Sequence, residues 1–384
     1  MRTHSAIIPR TWDIFCKVID NYGDVGVCWR LAVNLAQRHQ TVRLWVDDPH
    51  ALTWMAPKGA DGVELMRWTT PIDNTLVRRG DVLIEAFGCD LDAEFIAAYL
   101  TKSGVESPPF HWINLEYLTA ETFAQHCHGL PSPVMSGPGK GLTKHFFYPG
   151  FVPDTGGLIR EPDLLQRQAR FDRAVWLETQ GVTLPTQRVV SLFCYEPQGL
   201  DAFLSALAAD QQPTMLLVTA GRAAEACHLQ VSNKNSLDPT WNKGRKLSFL
   251  YLDKLDQRAF DHLLWASDFN CVRGEDSLVR ALWAGKPFVW HIYPQDDGAH
   301  RQKLDAFLDW MQAPASLRTF HYVWNGFASV QRQQPEQAIA ALVDFDLWQQ
   351  CFIELRKRLL SQPELTDQLI QFVSKAPKIA GFAA

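Results

Sequence analysis

The sequence predicts an α/β protein made of two doubly wound halves, and three observations carry that prediction. The chain has 384 residues, more than one ordinary core accommodates. Short apolar runs alternate with helical stretches through the first half. After a short linker at "TLPTQ" (183–187) the same alternation starts again.

In the first half, strands are expected at "WDIFCKVI" (12–19), "TVRLWVD" (41–47), "VELMRW" (63–68), "DVLIEAF" (81–87) and "FHWINLEY" (110–117). Between the first two, "GVCWRLAVNLAQRHQ" repeats Val27, Leu31 and Leu35 at helical spacing, with Cys28, Ala32 and Ala36 beside them. Strand, helix and strand at this spacing imply a parallel sheet with right-handed crossovers. The Pro/Gly-rich stretch "LPSPVMSGPGKGLTKHFFYPGFVPDTGG" (130–157) reads as loop, and "REPDLLQRQARFDRAVWLETQGV" (160–182) as one charged helix. The first domain is therefore expected over residues 1–182.

In the second half, strands are expected at "RVVSLFCYE" (188–196), "TMLLVTA" (214–220), "KLSFLYL" (246–252), "SDFNCVR" (267–273) and "KPFVWHI" (286–292). They define a second domain over 183–362. The tail is helical, "LWQQCFIELRKRLL" (347–360) and then "PELTDQLIQFVSKAPK" (363–378), with a proline break between. Two such domains are expected to enclose a cleft lined by the carboxyl ends of both sheets, where ligands of open α/β sheets bind.

Composition narrows the function. The chain is 47% apolar and 21% charged, which suits a sizeable core, and its net charge of -5 does not suggest a nucleic-acid partner. None of the eight cysteines forms a C-x-x-C pair and several lie in apolar runs, as expected of reduced, buried thiols in a cytoplasmic protein. The N-terminus lacks a signal-peptide core, and no run approaches the roughly 18 apolar residues of a membrane span. The "HCH" at 126–128 has no second cluster to complete a metal site, and "CDLD" (89–92) reads more simply as a helix start than as a metal-binding D-x-D.

Two stretches concentrate chemistry. In "RGEDSLVRALWAGKPFVW" (273–290) a strand ends near Arg273, Gly274 turns the chain, and Glu275, Asp276 and Ser277 open a helix that stops at Gly285. A helix start after a glycine turn offers free N–H groups to a phosphate. The plainer alternative is that Asp276 or Ser277 only caps the helix. Glu275 can instead accept sugar hydroxyls or hold Arg273. Upstream, Phe193 and Tyr195 lie two apart on one strand face, and Gln257 and Phe260 three apart on a helix. Aromatic faces with a side-chain amide suit a nucleobase; taken alone, each phenylalanine reads as core. The other stretch is "VIDNYGDVGVCWRLA" (18–32), which sets Asp20 and Asp24 in a loop between strand and helix, with Gly23 and Gly26 to bend it.

These motifs resemble a known family. "DIFCKVIDNYGDVGVCWRLA" (13–32) and "RGEDSLVRALWAGKPFVWHIYPQ" (273–295) match the two signatures of the bacterial protein-arginine rhamnosyltransferases that modify translation elongation factor P, the EarP family. The resemblance runs over the whole chain. It implies a GT-B fold of two Rossmann-like domains. It implies inverting transfer of rhamnose from TDP-β-L-rhamnose to an arginine guanidinium, which activates that factor for relief of ribosome stalling at polyproline. It also implies that the final helix returns to the first domain. Asp20 becomes the general base, Asp24 a second required acid, and Phe193, Tyr195, Gln257, Phe260, Glu275, Asp276 and Ser277 the TDP site, which Arg273 joins. Glu116, at another strand end, and Tyr293 are assigned to acceptor binding. No metal or other cofactor is expected.

The chemistry needs such residues. A guanidinium is always charged and its lone pairs are delocalised, so it is a poor nucleophile. Paired carboxylates grip its planar fork, and one aligned with the attacking nitrogen takes the proton as the C–N bond forms. For Asp24 an N-cap role is the serious alternative. Two other functions stay open on the residues alone: a GT-B transferase acting on a glycan or lipid, and a two-domain protein that binds a ligand without chemistry.

Overall fold

The computed structural model describes residues 8–19, 22–73, 75–101, 110–182, 187–295, 298–327 and 345–375. The chain divides into two compact units. One comprises Met1–Pro162 with the segment from Gln362 onward, and the other Asp163–Ser361.

The first unit contains, in order, β1 (Thr11–Cys16), α1 (Gly23–Ala36), β2 (Thr41–Val46), α2 (Leu52–Met55), β3 (Val63–Arg67), β4 (Val82–Ala86), α3 (Ala93–Thr101), β5 (His111–Leu115), α4 (Phe123–Cys127), β6 (Pro131–Pro133) and β7 (Thr143–Phe147). Its sheet runs β3-β2-β1-β4-β5-β7-β6, parallel except for β6. Central strands covered on both faces are apolar almost throughout. Trp12, Ile14 and Cys16 meet Val25, Cys28, Leu31 and Leu35 of α1, while Phe15 faces Trp45, Phe95 and Tyr99 on the other side. One polar residue interrupts β1: the buried Asp13 carboxylate accepts from Arg43 Nε at 2.7 Å, Arg43 Nη2 at 2.6 Å, Trp45 Nε1 at 3.0 Å and Tyr99 Oη at 2.9 Å. A charge this deep is tolerated only with such a complete set of donors.

The final helix, Leu365–Lys375, belongs to this unit. Leu365, Leu369, Ile370 and Val373 enter the core beside α1, and Arg38 pairs with Glu364 at 2.7 Å and Asp367 at 2.6 Å.

The second unit contains α5 (Leu164–Arg170), α6 (Arg173–Thr179), β8 (Arg188–Leu192), α7 (Leu200–Ala209), β9 (Thr214–Val218), α8 (Arg222–Leu237), β10 (Leu247–Tyr251), α9 (Gln257–Ala266), β11 (Phe269–Arg273), α10 (Asp276–Ala284), β12 (Phe288–His291), α11 (Ala299–Trp310), α12 (Ala315–Trp324) and the helix Phe345–Leu360. Its five strands run β10-β9-β8-β11-β12, all parallel. β1 and β8 are thus the points at which the strand order reverses, and the loops after them and after β4 and β11 open outward there.

Three expectations change. The unit boundary falls at 162/163, not 182/183. The stretch 160–182 is two short helices broken at Phe171, with Asp172 capping the second through the Ala174 and Val175 N–H groups. Both helices serve the second unit: Leu177 packs with Val189 and Leu263, Arg167 pairs with Asp261 at 3.4 Å and Arg173 with Asp268 at 2.7 Å. And the region 130–157 holds β6 and β7, where β7 extends the sheet beside β5 despite the surrounding prolines and glycines. Most of the linker, 183–186, lies outside the described residues.

All eight cysteines are free thiols. Among the described residues no group of three or more His, Cys, Asp or Glu side chains is placed to hold a metal ion, and no helix is long and apolar enough to cross a membrane.

Candidate active site

In the first unit the site candidates stand at the carboxyl ends of β1, β4 and β5. Asp20 lies outside the described residues. Asp24 is buried in the first turn of α1, but it is not the N-cap. Tyr22 holds that position without a side-chain cap, and Asp24 Oδ2 instead accepts the Ile19 N–H at 3.3 Å. The strand-to-helix turn is closed from inside the helix by a carboxylate. Gly23 and Gly26 belong to that first helical turn and do not bend a loop. Beneath it, the Cys16 thiol is pushed well up by its hydrogen bond with Cys28, then by burial and by the charge of Asp24; burial also raises Cys28. Neither thiol is a nucleophile.

Glu116 follows β5. Asn114 Nδ2 donates to it at 2.7 Å, burial pushes its carboxyl up, and among the described residues it has no ion-pair partner. The register that pairs Leu115 with Phe147 sets Glu116 beside Tyr148 on the next strand end. Burial, with Glu116 adding, pushes the Tyr148 phenol up to about 12. Phe123 lies edge-on to Tyr148 at 5.7 Å, and Phe87 stacks on Tyr117 at 4.9 Å. Glu116 is thus a half-buried carboxylate beside the Tyr148 ring, a setting that suits a planar cation.

After β4, the D-x-D candidates do not cap α3 with their side chains. Ile96 N–H bonds the Asp92 carbonyl at 3.0 Å, and Asp92 Oδ2 is buried without a hydrogen-bond partner. In "HCH", His128 Nδ1 accepts the Tyr148 N–H at 3.1 Å and His126 Nδ1 lies 3.1 Å from the Thr122 carbonyl, so both rings serve local structure.

In the second unit the candidates converge around the end of β8. The Arg273 guanidinium lies over both Phe193 and Tyr195, 4.5 and 4.6 Å from their ring centres, and donates to the Cys194 carbonyl at 3.2 Å. Phe260 meets Phe193 edge-on at 5.1 Å, and Gln257 opens the same helix, α9, which Asp256 caps through the Ala259 N–H. The aromatic-and-amide grouping expected for a base is assembled on adjacent elements.

The turn from β11 into α10 has the form expected of a phosphate turn, with its side chains assigned differently. Gly274 takes a φ of +59°, which favours glycine. Glu275 is the N-cap but makes no side-chain cap; it pairs with Lys303 at 2.6 Å. The Ser277 hydroxyl accepts the Arg273 N–H at 2.9 Å and donates to the Arg273 carbonyl, clasping the turn. Asp276 is the first residue of α10. The first N–H groups of α10 therefore form a helix start with no side-chain cap, the arrangement that suits an anion.

The chain matches the family described as "Elongation-Factor P (EF-P) rhamnosyltransferase EarP" over residues 12–374. It belongs to the EarP family. A protein-arginine rhamnosyltransferase of Pseudomonas putida is 40% identical over 395 residues, spanning 94% of this chain and 98% of the relative. One from Neisseria meningitidis is 33% identical over 390 residues, spanning 95% and 97%. A solved structure described as "Structural basis for EarP-mediated arginine glycosylation of translation elongation factor EF-P" matches with a TM-score of 0.61 at 31% identity, covering 96% of this chain and all of the other. The spinosyn rhamnosyltransferase SpnG shares the fold, with a TM-score of 0.52 at 10% identity. This member of the EarP family is a glycosyltransferase of GT-B fold, which sets aside the non-catalytic binder.

Within this EarP-family enzyme, Tyr293 stands just past β12, half exposed and edge-on to Tyr195 at 5.6 Å, in the unit that carries the nucleotide set. Three neighbours were not legible from sequence: Arg222 over Tyr195, its partner Glu196, and His291 edge-on to Tyr195 at 5.2 Å. One signal was available for Arg222. "TAGRA" (219–223) repeats the strand–glycine–helix pattern of "VRGED" (272–276) on the other side of β8.

Proposed function

We propose that this enzyme moves L-rhamnose from TDP-β-L-rhamnose to an arginine guanidinium of translation elongation factor P, with inversion and without a metal ion. The observation that carries this reading is the charge of the two strand-end surfaces. The first unit presents Asp24 and Glu116, which has no ion-pair partner among the described residues, and the second presents Arg273 and a helix start without a side-chain cap. Acids suit a guanidinium acceptor and an amide-and-arginine turn suits a diphosphate. The names of the relatives supply the arginine, the rhamnose and the acceptor protein.

In this mechanism the donor's base lies among Phe193, Phe260 and Gln257, and its diphosphate at the start of α10. Asp24 and Glu116 hold the guanidinium, and Asp20 accepts a proton from the attacking nitrogen. That nitrogen forms a bond to the anomeric carbon as the carbon–oxygen bond to the diphosphate breaks. The bonding pair leaves with the diphosphate oxygen, where the α10 amides and Arg273 meet the new charge. Single displacement converts the β-linked donor into an α-linked product. The acceptor is a translation factor, so the reading places the reaction in the cytoplasm, apart from membranes and independent of nucleic acid.

Mass spectrometry of elongation factor P incubated with the enzyme and TDP-β-L-rhamnose tests this directly. One added deoxyhexose on arginine is expected, with an α anomeric coupling by NMR and full activity in EDTA. An unmodified factor overturns the acceptor, a β product the single displacement, and activity that needs added magnesium or manganese the metal-free mechanism.

A further inference from the structure

Arg222 opens α8 after β9, on the other side of β8 from the phosphate turn. Its guanidinium lies 4.7 Å from the centre of the Tyr195 ring. Arg273 lies 4.6 Å from the same ring centre. Two guanidinia on one buried aromatic ring repel each other, and a cation–π contact is too modest to hold both there alone. Such crowding persists where an anion offsets it. Here Glu196, the residue after Tyr195, forks onto Arg222: Arg222 Nε donates to Glu196 Oε1 at 2.8 Å and Arg222 Nη2 donates to Oε2.

The plainer account is a surface ion pair of little consequence. Three observations favour more. The pair sits at the end of β8, the central strand, where a donor would lie. It is accessible: Arg222 is 36% and Glu196 58% exposed at the side chain. And charged groups gather there: Glu196, Arg222 and Arg273 all act on the nearby His291 ring. The His291 imidazole is pushed down to about 3, first by burial and then, against the opposing charge of Glu196, by Arg222 and Arg273.

We propose that Arg222 is a second guanidinium ligand for the donor's diphosphate, and that Glu196 is the internal anion Arg222 exchanges for a phosphate oxygen when the donor binds. The inference rests on the nucleotide-sugar reading of this unit. A diphosphate carries more than one negative charge and accepts planar, two-pronged donors better than a lone carboxylate does. On binding, the fork of Arg222 passes from Glu196 to a phosphate oxygen while the guanidinium keeps its seat on Tyr195. The loop that carries the ring for the base thus also carries the group that the donor displaces.

Titration calorimetry with TDP, and ligand-observed NMR with thymidine, on wild type, Arg222→Met and Glu196→Gln test this. Methionine keeps much of the apolar stem over Tyr195 and removes the charge. Arg222→Met is expected to weaken TDP by about 10- to 100-fold, the scale of a lost charge-assisted contact, and to leave thymidine unchanged. Glu196→Gln is expected to tighten TDP, because the competing carboxylate is gone. Equal TDP affinity in Arg222→Met and wild type overturns the inference, as does a parallel loss of TDP and thymidine. Weaker TDP binding by Glu196→Gln overturns the exchange role of Glu196, and this variant touches only an exposed side chain, so folding does not cloud it. Wild type that fails to bind TDP at all sinks the donor reading itself, a different outcome from each of these.

Discussion

The turn from β1 into α1 and the turn from β11 into α10 solve one problem with opposite chemistry. In both, a side chain from the first helical turn reaches back to the backbone of the strand end: Asp24 to the Ile19 N–H, Ser277 to the Arg273 N–H. The first closure buries a carboxylate at a helix start, and Glu116 stands at another strand end of the same sheet. The second uses a neutral hydroxyl, turns Glu275 aside to Lys303, and leaves the helix amides facing a surface that carries Arg273 and Arg222. The closing residue therefore contributes a different charge to each strand-end surface. Local backbone geometry is shared, and the charge on the closing group differs.

The largest effect should come from the acids. Asp20→Asn keeps size but cannot take a proton, and turnover is expected to fall about 10²-fold or more while TDP affinity in calorimetry stays at the wild-type value. Normal turnover by this variant would remove Asp20 as base. Asp24→Ser sharpens the comparison, because it gives the first turn the hydroxyl of the second. Serine is compatible with a helix start, so the fold should persist in thermal melts. Acceptor KM and turnover together should worsen about 10- to 100-fold if the carboxylate grips the guanidinium. Wild-type kinetics would reduce Asp24 to a turn-closing residue.

Ser277→Ala attacks the second turn. The Arg273 N–H and carbonyl lose their shared partner, at a cost of about 1 kcal/mol in stability read from urea unfolding. TDP affinity should fall about fivefold as the turn loosens, with acceptor KM unmoved. Unchanged stability would mean that the clasp contributes nothing.

Glu116 gives a smaller, pH-dependent effect. Burial holds its carboxyl above the ordinary value, so it gains its proton earlier than a free glutamate as pH falls. Only the ionised form pairs with a guanidinium, so acceptor KM should rise as pH falls through that raised value. Glu116→Gln should raise KM about fivefold and erase that limb. Stability has the opposite sign. A raised pKa disfavours the folded ionised state as pH rises, so Glu116→Gln should be at least as stable as wild type at neutral pH. A variant that keeps the acid limb would place its source elsewhere. The smallest effect concerns His291. With its pKa near 3 the imidazole stays neutral through the working range. The pH–rate profile between about pH 5 and 9 should therefore be the same in His291→Gln as in wild type. A limb near pH 6.5 lost in that variant would contradict the burial described here.

By itself the sequence determined the alternation of strands and helices, the two doubly wound halves, and the two turns that carry chemistry. Those features are local: apolar runs with period 2 or 3.6, and glycines at "RGEDS" and "NYGDVG", are read from neighbours along the chain. Only tertiary structure decided what depends on partners far apart in the chain. The strand β7 was hidden among prolines and glycines because its pairing comes from β5, about thirty residues away. The helices of 163–179 joined the second unit through Asp261, Asp268 and Leu263, which no periodicity of their own announces. Asp13 reads as one more polar residue in an apolar run until Arg43, Trp45 and Tyr99 close on it. The same holds at the sites. Which acid closes a turn and which one pairs with a lysine follow from packing distances, because the charge of a side chain is local but its compensation is not.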